Sequence, residues 1–497
     1  MIIGAVAAVA LLTSCAGGGG TATDAEQLTV GRVKSLDGIS GDSCVGGASI
    51  QTMPMLYGQI LRPAEDGSGL AGAIVDDWEY DETALTYSLT VSDEAMFSDG
   101  AAVTAEDLAF SIQQWRDGQN SGAYYSSIAD QRVVDDQTVE VQLAFADTFL
   151  PDLLSWCTST LYPADFGGKS ADEYFEAPVG AGPYVLDEWQ NPGPSEVLEL
   201  SANPHGYLGD TGLIEHVTIK TSSDVAQQLL AFRAGDLDII EDIGSDDVAQ
   251  LDPENVIASE PSYAMDLMLN AADPTLADPR VRQAISLGID RDELVSALYE
   301  DVTPAVGIIP TNIPNSVPGS EPLSYDPDRA TELLAEAGVT EISVEIGYES
   351  GQSSTSNVAS LLERQLSQIG VTVVLKPIDQ ATSYALAGAG DFQGLMSGVA
   401  AISPSAFDPI GFLMFAWYPW TASDTAVIEQ QYGIGTSTFD NTVRDEAVAT
   451  VQDDAFAQST VIGLYNQPSI FAVSDRVTGF IATPYRYWES STVRLDG

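Results

Sequence analysis

Apolar and polar residues change rhythm along this chain, and the changes mark its elements. From 265 to 270, Met-Asp-Leu-Met-Leu-Asn is a mostly apolar run of strand length. A short turn leads to Asp278, which fits a helix N-cap with Pro279 at the first helical position, where a missing N–H costs nothing. That helix sets Val281 and Ile285 on one face. The chain resets at Asp290, whose spacing to Glu293 is that of a capping box, and a second helix carries Leu294 and Leu298. Elsewhere Leu85, Tyr87 and Leu89 alternate as one strand face, and Thr104 with Asp107 caps a helix that places Leu108 and Ile112 on one side. Residues 133–141 read as a hairpin with an Asp-rich turn. Further helices start at Asp224 and at Asp326-Pro327, the latter carrying Leu333 and Leu334 and stopping at Gly338. A strand at 343–348 precedes a helix through Leu361, Leu362, Leu366 and Ile369, which stops at Gly370 before Val371, Val373 and Leu375 alternate again. This helix, glycine, strand rhythm predicts an α/β architecture.

Length and composition widen the picture. At 497 residues the chain exceeds a typical domain two- to threefold, and 44% hydrophobic content fits a globular protein with a sizeable core. The formal charge is −55, from 73 acidic against 18 basic residues. Such a chain is repelled by nucleic acid and by anionic lipid headgroups. Its acidity reads either as a site for cationic solutes or as a solvated surface on an exported protein adapted to salt, and the second is the weightier reading. Ile2 to Leu12 is an apolar run of signal-peptide length, too short to span a membrane. It ends in Leu12-Thr13-Ser14-Cys15, which resembles a bacterial lipobox, although no Lys or Arg precedes the run. On that reading 1–15 is a lipoprotein signal with lipidation at Cys15, and 16–26, with its glycine run, is a flexible tether. A fortuitous Cys behind a cleaved secretory signal is the alternative; either way the protein is exported. Cys44 and Cys157 then sit in an oxidising compartment, where they form a disulfide enclosing a long loop or remain two buried thiols. Neither has the spacing of a redox or zinc motif.

Catalytic signatures are sparse. Gly168-Lys169-Ser170 imitates the end of a P-loop, but Pro163 stands where a glycine is required. Gly388-Ala389-Gly390 fails as a dinucleotide fingerprint at Gln393. His205 and His216 are the two histidines, which leaves little for a histidine triad or a zinc site, and no cofactor or metal is expected. Acid pairs are abundant by composition alone, so a glycosidase-type pair stays open as an alternative.

Ordered motifs carry a stronger signal. Leu269-Asn270, Asp278-Pro279-Arg280-Val281-Arg282-Gln283-Ala284-Ile285 and Ile289-Asp290-Arg291 resemble the extracellular solute-binding proteins of peptide and nickel ABC importers. So do Leu56-Tyr57-Gly58, Phe97-Ser98-Asp99-Gly100 with Val103-Thr104-Ala105-Glu106-Asp107, Pro178-Val179-Gly180-Ala181-Gly182-Pro183-Tyr184, and Gly235-Asp236-Leu237-Asp238. The resemblance covers about 27 to 488. It implies a two-lobed α/β fold of the periplasmic-binding-protein type II, with an extra subdomain inserted in the first lobe. The expected division is 27–56, 178–268 and 468–497 as the first lobe, 57–177 as the insert, and 269–467 as the second lobe. It also implies a monomeric, non-enzymatic receptor that closes on a small solute, a peptide foremost, and hands it to an ABC permease. Receptors for a nickel chelate or a glycoside-like solute are the alternatives within the fold; a secreted hydrolase or a sensory surface protein lies outside it.

The same resemblance places candidate ligand contacts at Ser43, Trp156, Thr158, Ala400, Ser403, Asp408, Trp417, Tyr418 and Trp420. Peptide binders of the family anchor the solute's ammonium with an Asp shortly before an acidic-Pro pair. Asp408-Pro409 resembles the pair, yet no acid precedes it in 397–407, and Gly398-Val399 stands where Gly-Trp is usual. The aromatic run 415–420 suits either a pocket wall or the core of the second lobe. The segment 421–440 is shorter than in the family.

Overall fold

The computed structural model describes residues 27–44, 46–64, 69–296, 298–299, 301–320, 324–349, 353–414 and 425–496. Two mixed sheets organise it. The first has seven strands in the spatial order Val256–Ala258, Ile470–Val473, Ile239–Ile240, Gln27–Arg32, His216–Thr221, Val197–Ala202 and Tyr184–Gln190. Gln27–Arg32 runs parallel to both His216–Thr221 and Ile239–Ile240, while the other pairs are antiparallel. The second has six, in the order Thr303–Pro304, Val461–Gln467, Tyr263–Leu269, Gly394–Ala400, Ile342–Glu349 and Val371–Ile378. Here Ile342–Glu349 is parallel to its neighbours on both sides. A third, antiparallel sheet of four strands, Val75–Asp81, Thr86–Val91, Thr138–Leu143 and Ile128–Val133, is packed by the helix Ala105–Asp117.

Local chemistry explains the element starts. Asp278 accepts from the N–H of Arg280 ahead of the helix Pro279–Leu287, and Asp290 accepts from Glu293 ahead of Arg291–Val295. Thr104 and Asp107 form a reciprocal capping box. The helix at Asp290 stops earlier than its apolar spacing suggests, so Leu298 packs from beyond its end. Leu85 belongs to the turn before Thr86–Val91, with φ +53, and the buried strand face is Tyr87, Leu89 and Val91.

The lobe boundary is corrected at one place. Tyr263–Leu269, assigned from the sequence to the first lobe up to 268, is a central strand of the second sheet, bonded to Gly394–Ala400 and Val461–Gln467. Its near-continuous burial on both faces is what a central strand requires. The chain therefore leaves the first sheet after Val256–Ala258 and re-enters it at Ile470–Val473. Both crossings run side by side: Ser259 N donates to Ser469 O (2.9 Å), Ser469 N to Ser259 Oγ (3.0 Å), and Ser262 N to Gln467 O (3.2 Å).

Candidate functional site: the face between the lobes

Two short crossings make a hinge, and the surfaces facing each other across it are where closure can hold a solute. The insert contributes the segment after Phe149. The helix Leu150–Leu153, with Pro151 in its first turn, turns Asp152 toward the second lobe and leads to Trp156. A disulfide between Cys157 and Cys44 of the first lobe, with Cα atoms 6.0 Å apart, fixes that segment from behind. From the second lobe come Ile402, Ser403 and the helix Phe407–Phe412, and the helix Asn441–Gln458 brings Arg444. The C-terminal turn adds Tyr485 and Tyr487.

Aromatic rings dominate the contact. Trp156 meets Tyr124 and Phe149 edge-on, with centroids 5.1 and 6.0 Å apart, and Phe149 reaches Tyr432 of the second lobe at 6.5 Å. Tyr432 in turn packs on Phe407 at 6.1 Å. One apolar cluster thus runs unbroken from the insert into the second lobe. The lobes stand closed: the void bounded by Ile50, Gln59, Trp156, Cys157 and Tyr487 on one side and Ile402 on the other is about 10 Å³. Beside it a cavity of about 510 Å³ opens outward between the insert and the second lobe, with Trp78, Asp152, Asn315, Phe439, Arg444 and Asp445 in its wall.

Charges are sealed into this face. Asp408 Oδ2 accepts from Ile402 N (2.6 Å), Ser403 N (2.9 Å) and Ser403 Oγ (3.3 Å), a local loop that holds the carboxylate in place. Burial nevertheless outweighs these bonds and pushes its pKa up to about 8. Asp152 accepts no hydrogen bond from another residue among those described. Burial raises its pKa to about 7, Arg444 opposing and Asp147 adding to the rise. Asp147, which caps Phe149 N at 2.9 Å, is also raised by burial. The one described cation acting on Asp152 is Arg444, which donates to Ser405 Oγ (3.1 Å) and lies 5.3 Å over the Phe407 ring, without a direct ion pair. Tyr485 is pushed up to about 12, chiefly by burial and further by the charges of Asp152 and Asp408.

The sequence-expected residues divide. Trp156, Ser403 and Asp408 come together on this face, and Ala400 ends the strand behind it, opposite Tyr263. Ser43 and Thr158 have their hydroxyls engaged elsewhere: Ser43 Oγ bonds Ser40 Oγ (2.8 Å) and Thr158 Oγ1 bonds Tyr125 OH (2.7 Å) inside the insert. Trp417, Tyr418 and Trp420, like Cys15, lie outside the described residues. Sequence reasoning missed Asp152, Arg444, Tyr124 and Tyr485. An acid inside the apolar run Phe149-Leu150-Pro151-Asp152-Leu153-Leu154 was the available signal for Asp152. The tyrosines carried none, because their neighbours come from remote segments.

Known proteins share this organisation. The model of the bacterial extracellular solute-binding proteins, family 5, matches residues 69–423. The nickel-binding periplasmic protein of Escherichia coli is 23% identical over 428 residues, covering 78% of this chain and 79% of that protein. The probable D,D-dipeptide-binding periplasmic protein of the same organism is 24% identical over 452 residues, covering 86% of each. An ABC transporter-associated periplasmic binding protein of Helicobacter pylori, solved with the peptide STSA, superposes with a TM-score of 0.80 at 20% identity, over 95% of this chain and 98% of that one. With a hinge of paired crossings, two α/β lobes and a family match across most of its length, this chain belongs to the bacterial extracellular solute-binding proteins of family 5.

Proposed function

We propose that the protein is a lipid-anchored extracellular receptor of an ABC importer, held at the membrane through Cys15. It captures an oligopeptide or similar polar organic solute by hinged closure of its lobes and delivers it to the permease without chemical change. The observation that carries this reading is the face itself: two lobes joined by two short crossings bury aromatic rings and carboxyls that have no structural need to meet. Relatives named for nickel and for dipeptides keep both solute types in view. The missing acid before Asp408-Pro409 weighs against peptides anchored by a free amine in the family's usual manner.

Thermal-shift and native mass spectrometry screens of the exported chain against peptides, sugars and metal chelates test the reading. One solute class is expected to bind intact and raise the melting temperature. Turnover of any of them would sink the receptor assignment. The anchor is tested separately: Cys15→Ala should release the protein from the membrane fraction, and unchanged membrane association would refute it.

A further inference from the structure

The outward-opening cavity of about 510 Å³ lies on the seam between insert and second lobe, and each side supplies part of its wall. Trp78, from the strand Val75–Asp81, and Asp152 come from the insert; Asn315, Phe439, Arg444 and Asp445 come from the second lobe. Thr148 ties the two sides together at the edge, its N donating to Thr436 O (2.6 Å) and its Oγ1 to Thr438 O (2.9 Å). Phe439 meets Tyr80 of the insert edge-on, with centroids 6.0 Å apart. A molecule in this cavity touches both sides of the seam. The cavity shares no lining residue with the small void around Trp156, and Asp408 lines neither.

Two polar groups in the wall are unfinished. Asp152 and Arg444 are each more than nine-tenths buried. Asp152 accepts no hydrogen bond from another residue among those described, and Arg444 Nε is buried without an acceptor among them, although buried polar atoms ordinarily pair. One offers an acceptor and the other a donor. Hydroxyl groups do both, so a single polyhydroxylated molecule can satisfy the two together. The opposite charges of Asp152 and Arg444 offset each other, and the rim acid Asp445 already takes Asn315 Nδ2 at 2.8 Å. The wall therefore calls for hydrogen bonds rather than for net charge: a cation would meet Arg444, and an anion would meet Asp152 and Asp445. The apolar part of the wall is aromatic. Trp78 is half-buried on the apolar cluster, whereas Phe439 is 47% exposed and leaves a ring for an occupant to cover.

We propose, building on the receptor reading, that this outer cavity is the site that selects the solute, and that its occupant is a neutral mono- or disaccharide. One sugar hydroxyl donates to Asp152 and another accepts from Arg444 Nε, while the C–H faces of the ring lie against Trp78 and Phe439. Apolar and aromatic walls with a few convergent polar groups are the usual make-up of small-molecule sites, and the volume falls within their range. Because its walls come from both sides of the seam, a sugar held there favours the closed arrangement, as capture by closure requires.

Calorimetric titration of the exported chain at pH 7.5 tests this, with glucose, maltose, cellobiose and lactose as neutral probes. Glucosamine and glucuronate serve as charged counterparts, and trialanine as a peptide. At least one neutral sugar should bind, with the charged sugars weaker by about tenfold or more. Trp78→Ala and Phe439→Ala should each weaken that sugar by about tenfold, and Arg444→Lys should weaken it too. Phe439 is exposed, so its replacement leaves folding intact, which an unchanged melting temperature verifies. Asp328→Asn, on an exposed helix face, should leave the affinity as it is. Sugar binding that survives in the Trp78→Ala, Phe439→Ala double variant overturns the placement in this cavity. Equal binding of glucosamine or glucuronate overturns the neutral class. Failure of every sugar at millimolar concentration overturns the proposal outright, and the receptor reading then stands if trialanine binds intact. Hydrolysis of a disaccharide would instead overturn the receptor reading.

Discussion

Two buried charge clusters in this molecule are built to opposite specifications. Inside the first lobe, Arg32 and Glu196 form an ion pair at 2.7 Å that is sealed from solvent and complete. Arg32 also donates to Thr52 Oγ1 (2.9 Å) and Thr221 Oγ1 (3.2 Å), while Glu196 accepts from Leu36 N (2.9 Å) and Trp189 Nε1 (2.8 Å). Between the lobes, Asp152 is also buried but has no such partners among the described residues, and Asp408 uses one oxygen of two there. A charge that is finished inside one lobe holds a fold together. Charges left unfinished where two lobes meet are suited to a transient partner, because a solute or protons can complete them.

The contrast can be broken most forcefully from its complete side. Arg32→Met strands Glu196 in the core and should cost about 3–5 kcal/mol, read as a fall in the midpoint of chemical denaturation. A loss below about 1 kcal/mol, on the order of an exposed pair, would show that the Arg32–Glu196 pair does not hold the first lobe together. Next in size is the pH dependence. Asp408 and Asp152, raised from 3.8 to about 8 and about 7, bind protons on folding. Their stabilisation is therefore fully present below about pH 4 and is lost progressively as pH rises through the window from about 4 to 8. Glu241, raised to about 7, and the wholly buried Asp266 act in the same direction. The unliganded protein should accordingly gain a few kcal/mol on acidification from pH 8 to 5. Constant stability over that range would contradict the burial of these acids.

Smaller changes sharpen the comparison. Asp152→Asn removes an uncompensated charge and should stabilise the unliganded closed form by about 1–2 kcal/mol at pH 8, with less effect at pH 5; a net loss at pH 8 would mean the carboxylate is better paired than its surroundings show. Ser43→Ala should change solute affinity by less than about twofold, since its hydroxyl is bonded to Ser40 and not to the face. A large loss of affinity would return Ser43 to the binding site.

Much of the fold was legible because caps and periodicity are local. Asp278, Asp290, Thr104 and Asp326 each announced a helix start that the chain uses. The boundary at 268 was misplaced for a nonlocal reason: a doubly buried strand looks the same in either sheet, and only its pairing with Gly394–Ala400 and Val461–Gln467 decides which. The site was less legible for the same reason. Trp156 and Asp408 were picked out by resemblance, but Tyr124, Asp152, Arg444 and Tyr485 converge from positions spread over most of the chain. The hydroxyls of Ser43 and Thr158 looked available in sequence and are engaged by partners at Ser40 and Tyr125.

The most direct test is the separation of the lobes as a function of pH, read by energy transfer between dyes at Asp130→Cys on the insert and Asp328→Cys on the second lobe. Both positions are exposed. Without solute, the closed fraction should rise as pH falls from 8 to 5, and the Asp152→Asn, Asp408→Asn double variant should lose that dependence. A lobe separation that ignores pH in the parent protein, or a dependence that survives in the double variant, would contradict the claim that the unfinished acids of the interlobe face govern closure.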